Sequence, residues 1–246
     1  MSLWKLERLR LWRTQRLWIL LAVFGSIGVL GPLTVRFLPE LMESLGEEAV
    51  GTLPPMTAVD GVTQYIGNAV QIGVLAVAFV GAAAIAFDAK PEIAVFLRTR
   101  ASVRDILIPR FATVAAAVVA MFSVGMAVAY VGTGLLLEWL DVGGVVIGTL
   151  LFSMYLVFVV AVIGLVASLV RRVPAVALLS VGGLIVFALV GIVGPIAPWL
   201  PSELIGATDH LVRGGDFEFW RSVSVTVVLT IALLAVSIRR LEVREL

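Results

Sequence analysis

The sequence predicts an all-α, polytopic membrane protein with six transmembrane helices. Of its 246 residues, 61% are hydrophobic and only 14% are charged, whereas soluble globular chains average about 25% charged residues. The charged residues also avoid six stretches that approach or exceed the roughly 20 apolar residues a transmembrane helix needs. These uncharged stretches are 17–35, 61–87, 111–137, 142–170, 173–202 and 222–238. The composition therefore excludes a soluble enzyme and a nucleic-acid-binding protein.

The distribution of charge predicts the orientation of these spans within a single transmembrane domain, 1–246. If both termini lie in the cytoplasm, the cytoplasmic segments hold 15 of the 18 Lys and Arg residues. Cytoplasmic loops of membrane proteins carry such an excess of basic residues, so we predict an N-in/C-in topology. The predicted spans lie at about 17–37, 62–87, 110–137, 142–170, 174–200 and 221–238.

The basic segment before the first span predicts an N-terminal helix that lies in the membrane interface. Trp4, Leu11 and Trp18 are spaced by seven residues, which places them on one stripe of a helix. Tryptophan is typical of the headgroup level, and arginine interacts with anionic lipid. The alternative is that this segment is only the basic flank of the first span. No small-residue cleavage site follows, so we interpret the first span as an uncleaved signal-anchor.

The second span carries three amide side chains, Gln64, Asn68 and Gln71, in its outer half. Positions i, i+4 and i+7 fall on one face of a helix. Amides that face lipid would lack hydrogen-bond partners, so this face should point toward protein or toward a water-filled path. Two interpretations remain open, namely hydrogen bonding between helices and lining of a substrate path.

The cytoplasmic loop between the second and third spans predicts a short amphipathic helix at 91–99. Its apolar residues recur at i, i+3 and i+4, and arginines stand beside them. Ser102 and Asp105 form a capping box for the helix that follows. Such a surface suits contact with another protein or with lipid headgroups. The candidate contact residues are Ile93, Phe96, Leu97, Arg98, Arg100, Arg104 and Asp105.

Three prolines predict a break in the chain between spans five and six. Pro195, Pro198 and Pro201 lie within seven residues, and proline removes a helical hydrogen bond and clashes with the preceding turn. The chain should therefore break near the outer surface and then re-enter the membrane or lie flat on it.

Residues that catalysis or cofactor binding requires are scarce. The only lysines, Lys5 and Lys90, lie in no phosphate-binding loop, and there is no cysteine. His210 stands beside Asp209, where a metal pair is conceivable but a solvated loop histidine is favoured. The spans also lack the charged residues that proton relays use. We expect no enzymatic activity, metal or cofactor on this chain, and an energy source elsewhere.

The order of these segments resembles that of the membrane subunits of ATP-binding-cassette exporters, the ABC type-2 permease family. The resemblance covers nearly the whole chain and rests on segment order and loop character. The segments that carry it are LWKLERLRLWRTQRLWILL, FLPELMESLG, PPMTAVDGVTQYIGNAVQIGVLAV, FLRTRASVRDILIPRF, PWLPSELIGATDHLVRGG and IRRLEVREL.

The resemblance implies a permease in the cytoplasmic membrane of a prokaryote that exports an unidentified substrate, with an amphipathic one favoured. Separate cytoplasmic ABC ATPase subunits would hold ATP and Mg²⁺, and a second permease copy would complete a homodimer or heterodimer. Residues 91–105 match the family's coupling region, 3–16 its connecting helix and 195–201 its outer re-entrant segment. Two alternatives stay open: a non-transporting membrane protein, such as an immunity or scaffold protein, and a substrate-capturing importer subunit.

Overall fold

The computed structural model describes residues 3–44, 56–86, 99, 101–192 and 194–243. Every regular element in this part of the chain is helical, which confirms the predicted all-α class. A π-helical turn, Ala69–Gly73, joins α3 directly to α4. The α-helices are α1 (Leu3–Arg13), α2 (Arg16–Ser44), α3 (Ala58–Asn68), α4 (Val74–Ile85), α5 (Val103–Leu136), α6 (Val142–Leu169), α7 (Val173–Val190), α8 (Ala207–Val212) and α9 (Trp220–Val243).

Six segments of the described chain are long and apolar enough to cross a membrane, as the sequence predicts. One of them combines α3, the π turn and α4. These candidate spans are Arg16–Glu40, Ala58–Ile85, Val103–Leu136, Val142–Leu169, Val173–Val190 and Trp220–Val243. Ion pairs join the start of α5 to α1 and to the last turn of α9. We call this end of the bundle the terminus end, and the opposite end the far end.

α1 and α2 meet at a corner and do not form one continuous helix. Gln15 in this corner has a φ of 59°, in the left-handed region that residues other than glycine seldom adopt. The ring centroids of Trp12 and Trp18 lie 5.9 Å apart across the corner. The predicted single stripe is therefore wrong, because Trp18 lies on α2 and Leu11 is buried whereas Trp4 is exposed.

Of the helices that extend beyond the predicted spans, α2 and α5 do so by the most residues. α2 continues through two internal prolines to Ser44. Membrane helices tolerate proline because neighbouring helices, Ser and Thr side chains, water and local adjustments of the helix satisfy the backbone groups that proline frees. α5 begins at Val103, ahead of residue 110, because Ser102 caps it. The Ser102 hydroxyl accepts a hydrogen bond from the Asp105 amide at 3.2 Å, which is one of the two bonds of the predicted capping box.

The fifth span is shorter than predicted. α7 ends at Val190, well before residue 200, because Gly191 and then Pro195 follow, and both residue types disfavour helix. Two 3₁₀ turns, Ala197–Trp199 and Pro201–Ile205, then lead into the short helix α8. The chain between α7 and α9 is thus a broken helical segment at the far end, in agreement with the proline pattern.

An aromatic cluster occupies the centre of the bundle. Phe24, Tyr65, Phe122 and Phe152 are fully buried and come from four different spans. The centroid of the Phe122 ring lies 5.4 Å from that of Tyr65 and 4.6 Å from that of Phe152. The Tyr65 hydroxyl donates a hydrogen bond to the Phe122 carbonyl at 2.7 Å, so its polar group is satisfied. This side of α3 therefore belongs to the core.

Glycines bring helices into backbone contact at several places, two of which bear on the ends and centre of the bundle. A Cβ on Gly28 of α2 would collide with the carbonyl of Gly125 on α5. Gly144 and Gly148 on α6 contact α8 in the same way, and a Cβ on Gly148 would lie 2.6 Å from the Thr208 Cα. Small residues four apart allow membrane helices to approach closely. α8 is thereby held against α6 at the far end.

Candidate functional site

The three amide side chains of the second candidate span lie on the outside of the bundle. Gln64 and Gln71 are exposed and Asn68 is partly exposed, whereas Tyr65 and Ala69 on the other side of the helix are fully buried. The Gln64 amide donates to the Asn68 side-chain oxygen at 3.4 Å. Within the described chain, none of the three amides bonds to another helix. Hydrogen bonding between helices of one copy, the first of the two interpretations, is therefore not seen here.

The π turn that contains Gln71 interrupts the regular helix at this surface. Single π turns inside α-helices occur frequently at functional sites. The turn places Gly73 against the Phe24 ring, where a Cβ would lie 2.7 Å from a ring carbon, while Ile72 stays exposed. A Cβ on Gly67, between the amides, would meet no atom within 4 Å. The amides thus lie on an open surface.

This surface continues toward the terminus end as an apolar flank of α4. Ile72, Leu75 and Phe79 are all exposed. α7 packs beside α4, and Cβ atoms on its Gly182 and Gly183 would meet nothing within 4 Å. We call the exposed side of α3, the π turn and α4 the amide flank. It is polar toward the far end and apolar toward the terminus end.

Three charged residues at the terminus end form what we call the terminal cluster: Glu7, Arg16 and Arg110. The Arg110 Nε lies 2.9 Å from the Glu7 carboxylate, and these side chains are only 3% and 9% exposed. Arg16 donates a hydrogen bond to the Ala83 carbonyl of α4 at 2.8 Å. The N-terminal segment therefore contacts α4 and α5, the two helices that flank residues 87–100 in the chain.

Most of the residues predicted to contact an ATPase lie within 87–100, between α4 and α5 in the chain. Ile93, Phe96, Leu97, Arg98 and Arg100 lie outside the described residues. Arg104 and Asp105 are exposed on the first turn of α5. The Arg104 Nε lies 3.1 Å from the Glu242 carboxylate of α9, and Asp105 accepts a hydrogen bond from the Ser102 hydroxyl at 2.6 Å. Arg104 therefore ties α5 to α9, and Asp105 belongs to the helix cap.

Sequence reasoning missed Glu7 and Arg110, although each carries a local signal. Glu7 is the only acidic residue among the five basic residues of segment 1–16. Arg110 directly precedes an uncharged stretch, and a charge at the edge of hydrocarbon requires a partner. The two residues are 103 positions apart, so the pairing itself could not be inferred from local spacing.

A second group of polar residues, which we call the far cluster, lies at the far end and consists of Asp60, Thr63, Asp209 and Arg213. The Arg213 guanidinium lies 2.9 Å from Asp209 and 3.3 Å from Asp60. The Thr63 hydroxyl donates to Asp209 at 3.1 Å. Hydrogen bonding to the Asp209 carboxylate raises the pKa of Arg213, so this residue stays charged. The far cluster links α8 to the start of α3.

His210 takes no part in the far cluster. Its Nε2 lies 3.0 Å from the Asp216 carbonyl, and its ring packs edge-on against Phe219. Asp209 interacts with Arg213 instead. Among the described residues, no three His, Cys, Asp or Glu side chains are placed to hold a metal ion.

Comparison with known proteins gives no relative for this chain. No family model matches it, and no curated protein or solved structure shows significant similarity. The candidate functional surfaces are therefore defined by geometry, namely the amide flank, the terminal cluster and the far cluster.

Proposed function

We propose that this chain is the membrane-spanning permease subunit of an ATP-binding-cassette exporter. A separate cytoplasmic ATPase subunit would bind ATP and Mg²⁺, and two permease copies, identical or related, would enclose the path of an amphipathic substrate. The observation that carries the proposal is the amide flank, which is exposed inside a candidate membrane span.

The amide flank requires a polar neighbour. Moving an amide from water into apolar surroundings without a hydrogen bond costs roughly 2–7 kcal/mol. Gln64 and Asn68 bond to one another, which satisfies one donor and one acceptor and leaves the remaining amide groups of the flank open. Lipid chains offer neither donors nor acceptors. A second copy or a water-filled path against this flank would supply them, as one half of a paired transport pathway requires.

The terminal cluster supports an energy input from the terminus end. Residues 87–100 connect α4 to α5, and Arg16 and Glu7 hold these two helices at Ala83 and Arg110. Force from an ATPase on residues 87–100 would therefore act on α1 and α2 as well as on α4 and α5. The excess of basic residues at the terminus end favours a cytoplasmic location for it. The resemblance to exporter permeases implies the cytoplasmic membrane of a prokaryote.

Purification of the tagged full chain from native membranes tests this assembly. We expect a complex of two permease copies and two P-loop ATPase subunits, measured by its mass and by ATP hydrolysis. A lone chain that tightly retains a small molecule would contradict the exporter and favour a substrate-capturing importer subunit. A lone chain without ligand or ATPase would favour a non-transporting protein.

Gln71→Leu tests the role of the amide flank. Because Gln71 is exposed, its loss should change the stability of the single chain by no more than about 0.5 kcal/mol. The fraction of paired copies or the ATP turnover of the complex should fall, as measured by mass photometry and phosphate release. Ile72→Leu, at an exposed neighbour without an amide, is the matched control. Unchanged pairing and unchanged ATP turnover in Gln71→Leu would show that the amide flank is not part of the transport pathway.

A further inference from the structure

A groove of about 640 Å³ lies between α1 and α5 at the terminus end. This volume is within the range of about 300–1,000 Å³ that small-molecule sites occupy. One face of α1 and one side of α5 line it, together with Leu17 at the start of α2. Its principal lining residues are Trp4, Arg8, Trp12, Ala112, Thr113 and Ala116.

The floor of the groove is apolar and belongs to the membrane-spanning part of α5. The uncharged stretch of α5 begins at residue 111, so Ala112 and Ala116 lie in its first two turns. The Thr113 hydroxyl donates to the Pro109 carbonyl at 2.6 Å, so this polar group is satisfied within its own helix. An apolar floor formed by short side chains favours an aliphatic chain as the ligand.

The rim of the groove is aromatic and basic. Trp4, Arg8 and Trp12 are spaced by four residues and share one face of α1. The two tryptophans are 48% and 62% exposed. Arg8 forms no ion pair with any of the described residues. Tryptophan and arginine are favoured at membrane interfaces, where apolar lipid chains meet polar headgroups and water.

The single acidic residue of α1 does not neutralise this rim. Glu7 is buried and pairs with Arg110 on α5. The charges that α1 exposes are therefore all positive, on Lys5, Arg8 and Arg13. A ligand that complements both parts of the groove has an apolar chain and a negative head.

We propose that the groove binds one anionic phospholipid from the leaflet at the terminus end. Its acyl chain lies along Ala112 and Ala116, and its phosphate lies at Arg8 between the two tryptophans. Basic pockets between membrane helices bind anionic headgroups in this way. The site does not depend on the proposed transport function, because it requires only the groove and the bilayer.

Native mass spectrometry of the detergent-purified full chain tests the site. Phosphatidylglycerol is the probe, and phosphatidylcholine with the same acyl chains is the neutral comparison. We expect the wild type to retain one phosphatidylglycerol in preference to phosphatidylcholine. Arg8→Gln should weaken phosphatidylglycerol binding about fivefold, whereas Arg13→Gln, exposed but outside the groove, should not.

A second pair of variants tests the floor. Ala116→Leu fills the groove and should weaken the binding of both lipids, whereas Ala120→Leu, at an exposed position one turn further along α5, should weaken neither. Equal retention of the two lipids by the wild type, or equal losses in Arg8→Gln and Arg13→Gln, would overturn the proposal. The proposal would also be overturned if inorganic phosphate displaced phosphatidylglycerol and Ala116→Leu still bound this lipid in full, because the site would then recognise only an anion. Thermal unfolding checks each variant, and Arg8→Gln remains decisive if Ala116→Leu does not fold.

Discussion

Ion pairs link helices at both ends of the bundle, but among the described residues only the terminus end has a pair in which both side chains are buried. In the terminal cluster, Glu7 and Arg110 are 9% and 3% exposed. In the far cluster, Arg213 is 50% exposed and its two aspartates are each 37% exposed. Removing one partner of a buried pair costs about 3–5 kcal/mol, whereas an exposed pair contributes about 0–1 kcal/mol. Charge can therefore fix the terminus end firmly and the far end only weakly.

Close backbone packing holds the far end instead. A Cβ on Gly144 would lie 3.1 Å from the Leu211 carbonyl, and one on Gly148 would collide with Thr208. A contact of this kind depends on the absence of a side chain. If α8 moves away from α6, no charge loses its partner in this contact. Under the proposed function, the difference suits a transporter that is driven from one end and opens at the other.

The largest effect is expected at the terminal cluster. Glu7→Gln removes the carboxylate beside the buried Arg110 guanidinium and should lower the free energy of unfolding by about 3 kcal/mol or more. Thermal unfolding of the detergent-purified chain, followed by tryptophan fluorescence, measures this loss. The control is Glu40→Gln, which removes the same group from the exposed Arg36–Glu40 pair, with its 2.9 Å separation. A loss in Glu7→Gln no larger than in this control would break the comparison, because the buried pair would then act like a surface pair.

Features that depend on chain neighbours could be predicted from the sequence. The six candidate spans follow from the uncharged stretches, because hydrocarbon excludes charge. The cap of α5 follows from Ser102 and Asp105, and the contact of Gln64 with Asn68 follows from their spacing. In each pair the two groups lie within about one helical turn, so the helix itself brings them together.

Features that depend on packing could not be predicted in this way. Glu7 and Arg110 are 103 positions apart, and the sequence shows a lone acid without showing its partner. The spacing of Gly144 and Gly148 likewise indicates that another helix packs closely here, but it does not identify that helix as α8. The exposure of the amide flank is decided by the aromatic cluster around Tyr65, which four spans build together.

An intermediate effect is expected where α8 packs on α6. Gly148→Ala would place its Cβ 2.6 Å from the Thr208 Cα, so α8 must shift, and overpacking of this kind typically costs about 1–3 kcal/mol. Gly182→Ala is the control, because a Cβ there meets nothing within 4 Å; it should be neutral or more stable by up to about 1 kcal/mol. The same thermal unfolding measures both variants. If Gly148→Ala were as stable as Gly182→Ala, close packing would not be what holds the far end.

The smallest effect on stability is expected at the far cluster, and its test needs a second measurement. Arg213→Gln removes two exposed ion pairs, so the free energy of unfolding should fall by less than about 1 kcal/mol. At about 1 M salt the screening length is about 3 Å, so the difference from the wild type should disappear. A loss as large as that of Glu7→Gln would show that the two ends do not differ.

Hydrogen exchange then tests whether the ion pairs of Arg213 hold α8 against α3 or have no effect on the contact between these helices. If Arg213 holds the two helices together, Arg213→Gln should speed the exchange of α8 amides at low salt and leave the amides of α1 unchanged. The wild type at high salt should approach the variant, because screening weakens the same ion pairs. Arg221→Gln is the control, since Arg221 lies at the same end over the Trp199 ring, at 5.3 Å, and forms no ion pair among the described residues. Equal exchange of α8 in Arg213→Gln and Arg221→Gln would mean that the ion pairs of Arg213 do not hold α8, and that its glycine contact with α6 and the Thr63–Asp209 hydrogen bond are enough.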